Sequence, residues 1–178
     1  RTFFDEAGRT IFVVENYTDF DPEDIEDTVG GSSSGTLNDQ DRVTEYRYNA
    51  AGLMSDQVAY NVSFTTENNQ PVRHVTQQDT RYVYAVDLTD SFGSPVADGS
   101  LLRATIYPDS DDAVVSGALD DGTDDAFDRV ETTYLANGAV ATSTDQRGVV
   151  HAYSYDDLAR LLADVADLSN ASGVDDAV

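Results

Sequence analysis

One short motif recurs along this chain and constrains its fold more than any other feature. It consists of an aromatic residue, then Asp or Asn, then Gly three positions later, as in Phe4-Asp5 with Gly8 and Tyr48-Asn49 with Gly52. A longer version of it runs from 138 to 160. Recurrence of this kind indicates an internal repeat, in which each copy is one supersecondary unit. We therefore expect the chain to fold as an array of such units.

The last copy indicates what one unit is. From 149 to 155 bulky side chains alternate with small ones, which is the period of a β-strand. Asp156 then begins a turn, because its short carboxylate can accept hydrogen bonds from backbone amides one or two residues ahead. Glycine at the fourth turn position, as at Gly8 and Gly52, supplies a positive φ. Each unit is thus predicted to be a β-hairpin, and one hairpin cannot bury its bulky face without neighbours.

The longest copy reads Gly-x5-Thr-Asp-x2-Gly-x4-Tyr-x-Tyr-Asp-x3-Arg, and in this order and spacing it resembles the YD-repeat, or Rhs-repeat, family. Its motif residues are Gly138, Asp145, Gly148, Tyr153, Tyr155, Asp156 and Arg160. Earlier partial copies add Gly8, Tyr46, Tyr48 and Gly52. The sequence departs from the family pattern at Ala159, where glycine is preferred, and at Leu53, where the first copy has Arg9.

The resemblance implies an all-β fold of tandem antiparallel hairpins that form a curved or spiral sheet. It further implies a wall segment of a large secreted or cell-surface bacterial shell. Such a shell encloses or displays a C-terminal, toxin-like module encoded elsewhere. The partners implied are the neighbouring repeats of the same chain and that enclosed module.

Composition predicts three interruptions of the array. A flexible acidic Gly/Ser loop is expected at 19–41, an acidic insertion with the character of a solvated loop at 109–128, and a frayed tail at 169–178. Strands are expected at 42–48, 54–66, 72–86 and 101–107, with a polar loop at 87–100. Residues 1–178 are interpreted as one fragment of the repeat array.

Charge and composition exclude several classes of function. The net charge is -24 and there is no Lys, so nucleic acid and anionic membrane surfaces would both be repelled. No apolar run is long enough to span a bilayer. Cysteine is absent, which removes thiolate nucleophiles and Cys-based zinc sites. We therefore predict no nucleic-acid partner and no direct membrane contact for this segment.

The acidic insertion is the one candidate for a metal site. Hard oxygen ligands around a tight turn suit calcium, and the candidate ligands are Asp120, Asp121, Asp124 and Asp128. The insertion lacks the spacing and the terminal Glu of an EF-hand. A solvated acidic loop is the favoured interpretation, because charge runs usually repel each other and stay hydrated. No cofactor is predicted, and calcium stays as the alternative.

The histidines do not indicate catalysis. His74 and His151 are the only two, and packing or hydrogen bonding within the sheet is favoured over a zinc site. A Ser-His-Asp set could be assembled from many residues, but no nucleophile-elbow signature selects any of them. We therefore predict no enzymatic activity and no catalytic residue.

Tyrosines form Tyr-x-Tyr pairs on three predicted strands: Tyr46 and Tyr48, Tyr82 and Tyr84, Tyr153 and Tyr155. We predict that they tie neighbouring hairpins together through cross-strand ring packing. Stacking of the rings on sugars is the alternative. It corresponds to the second functional hypothesis, a carbohydrate-binding or adhesion module that engages surface glycans, with calcium assisting.

Overall fold

The computed structural model of this chain describes residues 1–17, 42–67, 70–89, 98–108, 110–123 and 129–167. At 62–64, 67 and 70–75 it describes the backbone alone. The predicted loop at 19–41 and the predicted tail at 169–178 lie outside the described residues.

The described chain is almost entirely β-structure, as the repeat pattern predicted. The strands are β1 Thr2–Phe4, β2 Thr10–Glu15, β3 Arg42–Tyr48, β4 Met54–Glu67, β5 Gln70–Tyr84, β6 Leu102–Ile106, β7 Ala113–Val115, β8 Ala118–Asp120, β9 Val130–Tyr134, β10 Val140–Thr144, β11 Val150–Tyr155 and β12 Leu161–Asp167. Ten of them form one antiparallel sheet in the order β1-β2-β3-β4-β5-β6-β9-β10-β11-β12, and β7 and β8 form a two-stranded sheet.

The predicted strand bounds agree closely with the observed ones. The strand expected at 42–48 is β3, and those expected at 54–66 and 72–86 are β4 and β5 with ends shifted by one or two residues. One short 3-10 helix, Ala85–Asp87, follows β5 at the start of the predicted polar loop. The Asp87 carboxylate closes this turn by accepting a hydrogen bond from the backbone N–H of Tyr84 at 2.9 Å.

Contacts within the chain define two compact units, Arg1–Thr80 and Arg81–Val178. The core of the first is Phe12, Val14 and Val43, against which Phe3, Ile11 and Tyr60 pack. The core of the second is Val83, Leu88, Ala104 and Ile106, against which Val114 and Leu119 pack.

The largest fully buried side chains are valines, not tyrosines. They are Val14, Val43, Val58 and Val83, on four strands that follow one another in the sheet. Complete burial of one such side chain stabilises the fold by about 1.5 to 3 kcal/mol. Valines are therefore the most completely buried large side chains, and Tyr48, Tyr134, Tyr153 and Tyr155 are only partly buried.

The acidic insertion is not a plain loop, which corrects the expectation for 109–128. Strands β7 and β8 pair in register, with Val114 opposite Leu119. Both side chains pack on the second core, so a short apolar stretch inside the acidic run is sufficient to anchor a hairpin. Ser116 and Gly117 make its turn, with φ of 54° and 80°.

Candidate functional site

Five hairpin turns in the described residues share one five-residue form. In each turn the first residue donates its N–H to the carbonyl of the fifth, and the fourth donates to the carbonyl of the first, at 2.8–3.0 Å. The fourth residue has φ between 60° and 83°. In the described residues such turns begin at Asp5, Asn49, Leu135, Asp145 and Asp156.

A side-chain oxygen stabilises this turn from within. At Asp5, Asn49, Asp145 and Asp156 the Oδ1 atom accepts hydrogen bonds from the backbone N–H groups two and four residues ahead, at 2.8–3.0 Å. The predicted role of the Asp carboxylate is thus confirmed for the amide two residues ahead, and the bond to the amide four residues ahead is an addition that the structure shows. The hydrogen bond from the Arg9 N–H favours the charged form of Asp5 and lowers the pKa of that carboxyl. The Arg160 N–H lowers the pKa of Asp156 in the same way.

The turn that begins at Leu135 satisfies its backbone differently. Leucine offers no oxygen, and the side chain of Asn137 accepts the N–H of Ala139 at 3.1 Å instead. The fourth position is still a glycine, Gly138, with φ of 83°. Backbone geometry therefore defines the turn, and the position of the side-chain acceptor varies.

Three strand-end tyrosines, two of them the second member of a Tyr-x-Tyr pair, each connect one hairpin to the preceding strand. The Tyr48 hydroxyl donates to the Thr10 carbonyl at 2.7 Å, and the Tyr155 hydroxyl donates to the Val140 carbonyl at 3.0 Å. The Tyr134 hydroxyl donates to the carbonyl of Leu102 at 2.7 Å. We call each of these strand contacts a join; the three joins are β2–β3, β6–β9 and β10–β11.

The three joins have one register. In each join one residue supplies the carbonyl that accepts the tyrosine hydroxyl. The residue two positions after it in the chain pairs with the residue three positions before the tyrosine. These pairs are Phe12 with Glu45, Ala104 with Glu131, and Thr142 with Ala152. Because a slip of one residue would turn every side chain to the other face, a shared register indicates one structural rule for all three joins.

The join β2–β3 carries an additional contact. Arg9, the fifth residue of its turn, is held by Asp5 through Nε and the terminal nitrogen, both at 2.7 Å. Its guanidinium carbon lies 4.4 Å from the centre of the Tyr48 ring, within the range of a cation–π interaction. Tyr48 is therefore held at both ends, by its ring and by its hydroxyl.

The first tyrosine of the last pair has a different environment. Tyr153 lies beside a shallow groove of about 330 Å³, and burial, together with Asp164 and Tyr155, raises the pKa of its hydroxyl. The groove is lined by Thr132, Val140, Ser143, Tyr153, Tyr155 and Leu161. It combines aromatic faces with two small hydroxyl-bearing side chains.

His151 forms a hydrogen bond within the sheet, in agreement with the sequence prediction. Its Nδ1 atom lies 2.9 Å from Oδ1 of Asp164 on the neighbouring strand β12, and its ring stacks on Tyr153 at 6.4 Å. Both the imidazole and the carboxylate are exposed to solvent. The side chain of His74 lies outside the described residues.

A buried arginine anchors the acidic insertion. The Arg129 side chain is 6% exposed and donates to Asp112 at 2.9 Å, to Asp121 at 2.7 Å and to Glu131 at 3.2 Å. Burial opposes its charge, but the hydrogen bonds with Asp121 and Asp112 outweigh that effect and raise the pKa of Arg129. Asp112 is fully buried, so the pair is shielded from water.

The predicted calcium ligands are engaged elsewhere or not described. Asp121 pairs with Arg129, and the Oδ1 atom of Asp120 accepts the backbone N–H of Gly122 at 3.1 Å. Asp124 and Asp128 lie outside the described residues. Within the described ranges, no group of three side chains is arranged to hold a metal ion.

Sequence reasoning missed two parts of this arrangement. The sequence analysis does not predict the ion pairs of Arg129. This residue is a lone cation between the acidic insertion and Glu131, and that position indicates a partner for the carboxylates. The accepting carbonyls of the joins were also missed, since a backbone atom leaves no mark in the sequence. The tyrosines connect successive hairpins through hydrogen bonds from their hydroxyls, whereas the sequence predicts packing between their rings.

No protein-family model matches this sequence, and no curated protein matches it. The resemblance to YD repeats therefore stays a prediction that rests on the motif. Among the described residues, the chain contains no helix of the length and apolar character needed to cross a membrane.

Proposed function

We propose that this chain is a wall segment of a large secreted or cell-surface shell of the YD-repeat type, which encloses or displays a C-terminal module encoded elsewhere. The observation that carries the proposal is the shared register of the three joins. A wall that grows by adding hairpins needs one rule for attaching each hairpin to the strand before it.

The chemistry of the joins also supports a structural role. Turn carboxylates bind the backbone of their own turns, and the strand-end tyrosines bind backbone carbonyls. Polar groups used in this way stabilise the sheet and are not available to a substrate. The net charge of -24 keeps such a surface hydrated and away from nucleic acid and anionic membranes.

The reading frame that surrounds this segment tests the proposal directly. A wall segment requires further hairpins with the aromatic–Asp motif on at least one side, and a C-terminal module of different composition. A reading frame that encodes an unrelated fold on both sides of this segment would contradict the proposed wall function.

A carbohydrate-binding or adhesion module is the second candidate, and the groove beside Tyr153 is the observation that favours it. Aromatic faces there could stack on a sugar ring while Thr132 and Ser143 bind its hydroxyls. A glycan array probed with the full chain, with and without calcium, separates the two functions. The wall predicts no specific binding in either condition.

Specific binding to the array would favour the second function, and variants would locate it. Tyr153→Ala should abolish binding in the groove, while Tyr46→Ala, on β3, should leave it intact. Binding that depends on calcium would implicate the acidic insertion instead.

A further inference from the structure

The last strand of the sheet repeats the geometry of a join on its outer edge. Within its hairpin, Leu161 pairs with Tyr155, as Thr10 pairs with Phe4 and Val140 pairs with Tyr134. Leu161 is therefore the equivalent of the residues whose carbonyls accept a tyrosine hydroxyl at the three joins. In the described part of the chain, β12 pairs with β11 and is the terminal strand of the sheet.

The turn before β12 also repeats the cation of the first join. Arg160 is held by Asp156 through Nε and the terminal nitrogen, both at 2.7 Å, as Arg9 is held by Asp5. The Arg160 side chain is 74% exposed, whereas that of Arg9, which lies over the Tyr48 ring, is 39% exposed. Arg160 thus presents the same oriented guanidinium, and within the described ranges no aromatic ring lies over it.

Apolar side chains on β12 are exposed beside this cation. Leu161, Leu162 and Val165 are all more than half exposed. An exposed hydrophobic edge strand favours pairing with a further strand. A strand added along this edge would cover part of them and would pair with the backbone of β12 on the side where no other described strand lies.

We infer that the outer edge of β12 is a docking site for one more hairpin of this type, an antiparallel strand that ends in a tyrosine directly before an Asp- or Asn-led turn. Its tyrosine ring lies under Arg160 and its hydroxyl donates to the Leu161 carbonyl. The inference rests on the joins that also support the proposed wall, and it identifies the residues that receive the next hairpin.

The shared register predicts which residues face each other in the new join. Ala163 stands two positions after Leu161, so it should pair with the residue three positions before the incoming tyrosine. In a probe peptide with the sequence of residues 150–167, which contains Tyr155, that residue is Ala152. Facing residues in antiparallel strands lie about 4.5 to 5.5 Å apart between Cα atoms, a separation that a disulfide can span.

The chain contains no cysteine, so the pairing can be tested by disulfide trapping. The full chain carrying Ala163→Cys is mixed with the peptide carrying Ala152→Cys in a glutathione buffer, and the chain–peptide disulfide is quantified. The matched control is Ala166→Cys in the chain. In the predicted register Ala166 faces the position before residue 150, which the peptide does not contain. Melting curves of both variants confirm that the chain remains folded.

We expect the Ala163 variant to capture the peptide, and the Ala166 variant to capture several-fold less. Replacing Tyr155 by Phe in the peptide should lower the yield about fivefold, the effect of one ordinary hydrogen bond. Arg160→Ala in the chain should lower it about threefold, the effect of an exposed cation–π contact.

Equal disulfide yields for Ala163→Cys and Ala166→Cys would overturn the inference. A yield that does not change when Tyr155 of the peptide is replaced by Phe would overturn it too. A chain–chain disulfide through Ala163→Cys in preference to the peptide adduct would show that β12 pairs with its own copy, which also overturns it. These readouts are separate from the reading-frame and glycan tests of the wall, so failure of one is distinguishable from failure of the other.

Discussion

The guanidinium of Arg9 lies over the ring of Tyr48, with 4.4 Å between its central carbon and the ring centre. Asp5, the first residue of the same turn, holds this guanidinium at 2.7 Å. One arginine therefore connects the turn of the first hairpin to the strand-end tyrosine of the second. The contact gives Arg9, directly after the turn glycine, a role in joining the two hairpins.

Replacing Tyr48 by Phe should destabilise the chain by about 1 kcal/mol, because it removes one hydrogen bond and keeps the ring under Arg9. Tyr155→Phe should have a similar effect, since its hydroxyl makes the equivalent bond to Val140. The control is Tyr46→Phe, whose hydroxyl forms no hydrogen bond in the part of the chain that the structure describes. Urea denaturation measures all three, and equal stability of Tyr48→Phe and Tyr46→Phe would contradict the role of the joins.

Ala159→Gly should stabilise the chain by about 0.5 kcal/mol. Ala159 has φ of 60°, in the left-handed region where a Cβ costs about 1 to 2 kcal/mol. The greater freedom of glycine in the unfolded chain offsets roughly 0.4 to 1 kcal/mol of that gain. Ala136→Gly, in a turn position without a positive φ, should lower the melting temperature instead. A lower melting temperature for Ala159→Gly would show that this strain is relieved in solution.

Arg129→Ala should be the most destabilising of these changes, by about 3 to 5 kcal/mol. It leaves the fully buried Asp112 without its arginine, and an uncompensated buried charge is costly. Arg147→Ala, which removes an exposed turn arginine, is the charge-matched control and should change stability by less than about 0.5 kcal/mol. Urea unfolding compares the two, and a small effect of Arg129→Ala would mean that the insertion is not anchored through this residue.

Calcium should bind weakly or not at all. Asp121 is ion-paired with Arg129, and Asp111 accepts hydrogen bonds from the backbone and hydroxyl of Thr123 at 2.7 and 2.6 Å. Ligation would have to break these contacts. Calorimetric titration of the full chain should give no dissociation constant tighter than about 10⁻⁵ M, the range of sensor sites. A tighter value would restore the calcium loop that the Asp-rich sequence first suggested.

Tyr60 should be the last tyrosine to ionise as the pH rises. Burial and the hydrogen bond to Glu45 at 2.6 Å raise its pKa to about 12. Because the folded state favours the neutral phenol, this stabilisation is present below the ordinary pKa of about 10 and is lost as the pH rises towards 12.

Ultraviolet titration of tyrosinate tests that order directly. Tyr60→Phe should remove the step of highest pH, and Tyr46→Phe should leave it in place. A titration curve unchanged by Tyr60→Phe would show that the phenol is not held by Glu45 in solution.

Local chemistry could be predicted from the sequence because it depends on neighbours in the chain. The oxygen of Asp156 reaches amides two and four residues ahead, and a hairpin turn of five residues needs a positive φ at its fourth position whatever surrounds it. The motif therefore predicted the turns, the strand bounds and the all-β class. It also predicted that tyrosines connect successive hairpins, although not through which atoms.

Contacts between distant residues could not be predicted in this way. The carbonyls of Thr10 and Val140 accept tyrosine hydroxyls only because the sheet places the right strands side by side. Arg129 reaches Asp112, seventeen positions earlier, because a hairpin intervenes and packs its valine and leucine on the core.

The sequence alone thus determined the repeating unit, since φ preferences and short-range hydrogen bonds act within a few residues. Only the tertiary structure decided that valines are the largest fully buried side chains, that one register governs all three joins, and that Arg160 is left exposed beside the Leu161 edge. Burial and register are properties of several strands together, and no single repeat contains them.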